Sequence, residues 1–334
     1  MMPTPRETIL QLFNGQRPET PPRFSGLINV TAQGLELAGL QFHETHTDSA
    51  KMAAAAISTH RLCGFGAAVV PLDICVEAEA LGAPVNFREN EPRAEFPRTM
   101  KPAFESFNDV AVGASHRLAP TMGRIPVVCD ALRQLKRDFG VEIVIGAMVP
   151  GPFTLLTLVL EVALVYGNLR KPPAEMHAAL EALTGFLLQT ATAYKEAGAD
   201  FVTVHEMGGS PGVIGPARFR ELVLPHLRRF FAELPGPHVL SCCGRTNGSM
   251  PLLAETGATA LSVDQTNDLA ASRAALPGAL LFGNIDPVGT LAHGSVADIQ
   301  NAIFNAVASG ADAIWPGCDL WPQVSVENLK VFME

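Results

Sequence analysis

A chain of 334 residues that is 48% hydrophobic and 17% charged has enough apolar content to bury a large core, either one big α/β domain or two smaller ones. A formal charge of −9 argues against a nucleic-acid binder, which carries basic patches. Six cysteines spread over this length do not make a disulfide framework, so the chain reads as a protein of a reducing cytoplasm.

The opening MMPTPRETILQLFNG lacks the basic-then-apolar order of a secretory signal. FSGLINV (24–30) reads as a strand, a helical pattern follows over 48–63, and GAAVVPLD (66–73) reads as the next strand. Residues 84–122, with Pro, Asn and charges, are irregular and predict a long insertion or a small hairpin. A helix over 125–139 leads to the strand VEIVIGAMV (141–149). The longest apolar stretch, 153–165, is interrupted by Glu161 and too short to cross a bilayer, so no membrane role is expected. Apolar residues at 3.6 spacing predict a helix over 175–197 that stops at Gly198. Then come the strand DFVTVHE (200–206), a helix over 216–234, the strand HVLSCCG (238–244), a helix over 248–256, and the strands TALSVDQ (259–265) and ALLFGNID (279–286). A helix over 295–309 precedes the final strand, DAIWPGC (312–318). The strand runs are nearly continuously apolar, as they are where helices cover both faces of a parallel sheet. Eight such runs with helices between them predict an α/β fold, a single (β/α)8 TIM barrel over 1–334, with a doubly wound sheet as the runner-up.

A barrel collects its chemistry at the C-terminal ends of its strands. Those ends carry Asp73, PGPFT (150–154), HEMGGSP (205–211), Cys243, Asp264, GNIDP (283–287) and GCD (317–319). Residues along a strand alternate faces, so adjacent Cys242 and Cys243 point opposite ways and are not a redox pair; Cys242 packs against helices. Cys63, Cys75 and Cys129 read as small buried residues. GGSPG (208–212) lacks the Lys-Ser/Thr of a phosphate-binding P-loop and reads as a turn. Trp315 and Trp321 flank Cys318 and suit either a pocket wall or the core.

These stretches resemble the uroporphyrinogen decarboxylase superfamily, and more closely its corrinoid-dependent methyltransferase branch, of the methylcobamide:coenzyme M methyltransferase kind. DICVEAEALGAPV (73–85), PGPFTLL (150–156), GVIGPARFRELVLPHLRRF (212–230), VLSCCG (239–244), GNIDPVGTL (283–291) and PGCDLWPQVSVENLK (316–330) carry the resemblance nearly end to end. EAEALG and the late GC…P…EN favour the methyltransferase branch. Where decarboxylases have an arginine-rich N-terminal signature, this chain has only PPRFSG, and Arg23, Arg88, Arg93 and Arg98 do not form the cluster that an anionic porphyrinogen demands.

The resemblance implies transfer of a methyl group between a methylated corrinoid and a small acceptor, a zinc-activated thiol such as coenzyme M. It further implies zinc held by a His-x-Cys pair and a distant second cysteine. Carried over, the cysteines are Cys243 and Cys318, and an acidic residue that can approach the metal is Asp264. Ser241 stands at the histidine position, and a neutral hydroxyl is a poor zinc ligand. His238 faces the other way and lies roughly 16 Å down the strand, out of reach. His205, which ends the neighbouring strand beside Glu206, is the better substitute. Cys243, Cys318 and Asp264 are thus the expected catalytic and metal residues, and Asp73, His205, Glu206, Ser241, Asn284 and Asp286 the expected substrate contacts. No Asp-x-His-x-x-Gly corrinoid motif occurs, so the corrinoid (cobalamin type) is expected in trans, on a carrier protein or free, with 84–122 available for docking. Two alternatives remain: a porphyrinogen decarboxylase acting through Asp73, or a non-catalytic corrinoid-binding relative.

Overall fold

A computed structural model of the protein describes residues 3–91 and 94–334, so Arg93 lies outside the described residues. The regular strands among the described residues are β1 (Ala67–Val70), β2 (Val85–Asn86), β3 (Arg98–Thr99), β4 (Val144–Pro150), β5 (Phe201–Glu206), β6 (His238–Cys242), β7 (Ala260–Val263) and β8 (Leu280–Gly283). β2 and β3 pair as an antiparallel hairpin, and the other six form a parallel sheet in the order β1-β4-β5-β6-β7-β8. The protein has the α/β TIM-barrel fold.

The first and last expected strands occupy their places in the ring but remain irregular. Bridges join Arg23 to Ile314, Phe282 to Ala313 and Ile285 to Pro316, carrying the ring from β8 through 312–317 to 22–24. It reaches β1 through Asn29, whose Nδ2 donates to the Ala67 carbonyl at 3.3 Å. Local chemistry accounts for the irregularity. The Ser25 hydroxyl accepts from the Leu27 N–H at 3.0 Å, competing with ladder pairing. Pro316 has no N–H to give a ladder. At Gly26 a Cβ would lie 2.3 Å from Thr203 Oγ1 and 2.6 Å from the Trp315 ring, so the segment must cross the interior without a side chain.

Phe201, Thr203 and His205 alternate inward along β5, placing apolar bulk at the bottom of the barrel and the imidazole at the top. Phe24, Phe282 and Trp315 pack together with ring centroids 5.0–5.6 Å apart. The helix Pro5–Phe13 brings Phe13 up against Phe201 at 5.4 Å and Phe282 at 5.7 Å. A Thr4–Glu7 capping box starts this helix, and Arg6 ties it to Asp200 beside the strand starts. Aromatic packing therefore fills the bottom and leaves the strand C-termini as the place for polar groups.

The expected insertion contains the β2–β3 hairpin and a helix, Phe107–Ser115, lying along the long helix Ala174–Glu196. The helix expected over 216–234 is two, Pro216–Leu222 and Leu224–Glu233, because Pro225 has no N–H to continue the first.

Candidate active site

Three chain segments deliver one soft donor each to the barrel mouth. The last inward residue of β5 is His205, and its Cα partner on β6 is Ser241. The next inward residue along that strand is Cys243, just beyond the last ladder pair. Gly244 then turns the chain with φ 85°, a left-handed conformation that suits glycine. The loop after the final barrel segment brings Cys318. His205 Nε2 lies 3.0 Å from Cys243 Sγ, and Cys243 Sγ lies 3.5 Å from Cys318 Sγ. All three ligand atoms fall within 4.8 Å of one another. The imidazole is fully buried and both sulfurs are half-buried.

The spacing can be compared with a real ion. Tetrahedral zinc, with bonds of about 2.3 Å to sulfur and about 2.0 Å to nitrogen, sets two sulfurs about 3.8 Å apart and a nitrogen and a sulfur about 3.5 Å apart. The observed separations are slightly tighter, within a small side-chain adjustment. Two sulfurs and an imidazole are also the donor types that zinc prefers. The residues fit the ion.

The same contacts set the protonation of the site. The hydrogen bond from Cys243 outweighs burial and, with His205, brings Cys318 down to about 4. That bond and burial drive Cys243 the other way, so Cys318 is the more acidic of the two. Burial lowers His205, but Asp319 and Cys318 overrule it and raise the ring to about 9. Burial pushes Asp319 up to about 6 against the pull of His205. Thiolates and a neutral imidazole are the forms that bind a metal, so binding one releases protons from this cluster.

The structure separates the other expected site residues from this cluster. Asp264, expected as a ligand, spends its carboxylate on the turn: Oδ1 accepts from the Thr266 N–H and hydroxyl, both at 2.7 Å, and Oδ2 from the Gly244 N–H at 2.8 Å. It supports Cys243 through the backbone and is not among the three clustered donors. Glu206, expected at the substrate, faces outward in register with Cys242. Its carboxylate accepts from the N–H groups of Phe153, Thr154 and Gly209 and from the Thr154 hydroxyl, so it caps the helix Pro152–Val159. Burial raises its pKa while these donors pull it down.

Asp73 is also engaged. It accepts from the Cys75 N–H and from both Arg124 terminal nitrogens, with His46 Nδ1 at 2.8 Å. Burial raises its pKa, yet Arg124 and His46 hold it well below the usual carboxylate range. Asp286 accepts from the Val288 and Gly289 N–H groups at 2.9 Å, and Asn284 donates to the carbonyl of Asn267 at 2.9 Å. Both shape the turn after β8 and line a separate 230 Å³ pocket. Ser241 is 2% exposed, beside His205, and too short to take the histidine's part. His238, at the start of β6, donates from Nε2 to the Phe231 carbonyl and accepts at Nδ1 from the Thr259 N–H. A cleft of about 440 Å³ between Leu35, Phe42, Phe87 and Arg88 lies elsewhere on the rim, apart from the sulfurs.

Sequence reasoning assigned no role to Asp319, Arg124 or His46. Asp319 left a usable signal, a carboxylate directly after a strand-end cysteine. The other two left none, since their partner Asp73 is distant in the chain.

A family model described as uroporphyrinogen decarboxylase (URO-D) matches residues 4–334. The chain is 28% identical over 335 residues to the methylcobamide:CoM methyltransferase MtbA of Methanosarcina acetivorans, covering 99% of this chain and 97% of that protein. It is 28% identical over 313 residues to the methylcobamide:CoM methyltransferase MtaA of Methanosarcina barkeri, covering 91% and 90%. Among solved structures, a methyltransferase from Methanosarcina mazei superposes with a TM-score of 0.92 at 26% identity, covering 98% of this chain and 97% of that one.

Proposed function

Since the chain belongs to the uroporphyrinogen decarboxylase (URO-D) family, we propose that it is a methyltransferase moving a methyl group between a methylated corrinoid and a small thiol such as coenzyme M. The convergence of His205, Cys243 and Cys318 at the mouth carries this reading. The similarity to relatives named for methylcobamide and CoM supports it.

These three residues would hold zinc and leave one coordination position open. Zinc supplies, when bound, a Lewis acid that keeps an incoming thiol deprotonated at neutral pH. Cys318 gives up its proton most readily and Cys243 follows once its own proton has no sulfur to bridge to. His205 contributes Nε2 from a fully buried ring, which fixes its orientation. The aromatic packing beneath keeps water from approaching from below. A methylated corrinoid, as the methyl donor, would give its methyl carbon to the acceptor sulfur and keep both electrons of the broken cobalt–carbon bond.

The corrinoid arrives in trans, on a carrier protein or free. The mouth loops present Leu37, Val213 and Trp321 at 65%, 57% and 46% exposure, apolar surface that a docking partner would cover. No helix among the described residues is long and apolar enough to cross a membrane. The decarboxylase reading has less support, because it needs Asp73 facing a substrate and Arg124 and His46 already occupy that carboxylate.

Metal analysis and visible spectra test the proposal together. The purified protein is expected to carry about one zinc per chain and to change the spectrum of methylcobalamin when coenzyme M is added, with both properties lost in Cys318→Ala. Equal zinc in the two proteins, or no spectral change with wild type, overturns it.

A further inference from the structure

We propose that Asp319 is the positioning residue for the His205 ring, fixing which nitrogen faces the sulfurs. The inference rests on reading His205 as the nitrogen ligand. An imidazole that ligates through Nε2 keeps its proton on Nδ1, and that proton needs an acceptor to fix the tautomer and the ring plane. Here Nε2 faces Cys243 at 3.0 Å. Nδ1, on the far side of the ring, is buried and has no hydrogen-bond partner. The carboxylate facing it is Asp319, with Oδ2 at 3.8 Å.

That separation is too long for a hydrogen bond and short enough for a small tilt of the ring to close. Asp319 is prepared for the role. Its Oδ1 accepts from the Ile28 N–H at 3.0 Å, anchoring the carboxylate to the neighbouring 24–30 segment and leaving Oδ2 for the ring. It also follows Cys318 directly, so one short loop delivers a sulfur ligand and the acceptor that orients the nitrogen ligand. Ser241 next to the ring offers no such acceptor, since a hydroxyl of that length at 2% exposure sits beside the ring and not at Nδ1. A histidine in place of Ser241 would start from a different strand and could not use Asp319 in the same way. The carboxylate is thus matched to the histidine that this chain has on β5.

Asp319→Asn tests the role without removing the Ile28 contact, because the amide oxygen can keep it. Zinc affinity is measured by competition with a chromophoric chelator, and the ring tautomer by nitrogen NMR of the histidine-labelled zinc protein. The expected result is a loss of about 10–100-fold in affinity and a mixed or inverted His205 tautomer, with the metal-free protein melting as wild type does. Asp319→Glu should recover part of the affinity. Wild-type affinity and tautomer in Asp319→Asn, alongside lost zinc in Cys318→Ala, overturn the positioning role and leave the site intact. Zinc-free wild-type protein overturns the site and this role with it.

Discussion

On the β1 side of the barrel mouth, Asp73 takes two nitrogens from Arg124, a contact from His46 and a backbone N–H, while Glu79 binds the Arg124 Nε. On the β5–β6 side, two cysteine sulfurs lie against each other and an imidazole has one nitrogen on sulfur and the other without a partner among the described residues. Both sides are buried and both gather polar side chains at strand ends, which the barrel architecture alone marks as functional ground. What separates them is whether their bonding capacity is used up. The first group is closed by its own partners and fixes the helix Val76–Ala80 and the hairpin to the barrel, with the guanidinium also stacked 4.8 Å over Phe87. The second has spare lone pairs pointing at one spot, and a cation is the simplest thing that completes it.

The largest expected effect breaks the closed side. Arg124→Met leaves the buried Asp73 carboxylate with only His46 and the Cys75 N–H, and removing one partner of a buried pair costs about 3–5 kcal/mol. Urea unfolding should show this loss, while zinc content per folded chain stays at the wild-type level. Zinc loss in proportion to the loss of stability would mean that the two sides are not independent. Somewhat smaller is the effect of breaking the open side. Four-ligand zinc sites bind with about 10–16 kcal/mol in total, so one ligand is worth roughly 3–4 kcal/mol. His205→Ser should therefore weaken zinc about 100- to 1,000-fold, with little change in the melting of the metal-free protein. Adding Ser241→His to that variant returns an imidazole from the adjacent strand, because the ladder pairs these two residues. Recovery of zinc in the double variant would show that the ligand can sit on either strand; no recovery would tie it to β5 and to Asp319.

How far the sequence led follows the same distinction. The apolar runs located β1 and β4 to β8, since near-continuous hydrophobicity is a property of each strand alone. Alternation put Cys242 outside and Cys243 inside for the same reason. The edges of the barrel were harder: Ser25, Gly26 and Pro316 turn strong apolar runs into irregular chain through contacts made after folding. Pro225 was a visible helix breaker within 216–234 and should have been used. The carboxylates were the weakest part. Asp264, Glu206, Asp286 and Asp319 all follow strands, and a carboxylate there is as useful to turn N–H groups as to a metal or a substrate. Which role it takes depends on the backbone that folds over it: in Asp264 and Glu206 both oxygens are taken, and in Asp286 two N–H groups share Oδ1. Asp319 keeps one oxygen free because its only backbone donor, Ile28, comes from the far end of the chain.

The smallest expected effect concerns Glu77, a buried acid on the closed side with one oxygen left over. Its Oε1 accepts from the Tyr194 hydroxyl at 3.1 Å, but its Oε2 is buried without a partner. Burial pushes its pKa up to about 8. A carboxyl raised in this way is protonated in the folded chain and ionised in the unfolded chain across the interval between the two pKa values. Its contribution is therefore most favourable below about pH 4.5, declines as pH rises towards 8, and levels off above that, where both states are ionised. Asp73 has the opposite sign, with stability lost only as pH falls below the usual carboxylate range, so the two windows do not overlap. Glu77→Gln keeps the acceptor for Tyr194 and cannot ionise. The difference between variant and wild type in stability from urea unfolding should be small at pH 5 and grow in the variant's favour to on the order of 2 kcal/mol by pH 7. A difference that stays flat between those values would mean that Glu77 is ionised in the folded protein, and that its second oxygen has found a partner on the side of the mouth that otherwise has none to spare.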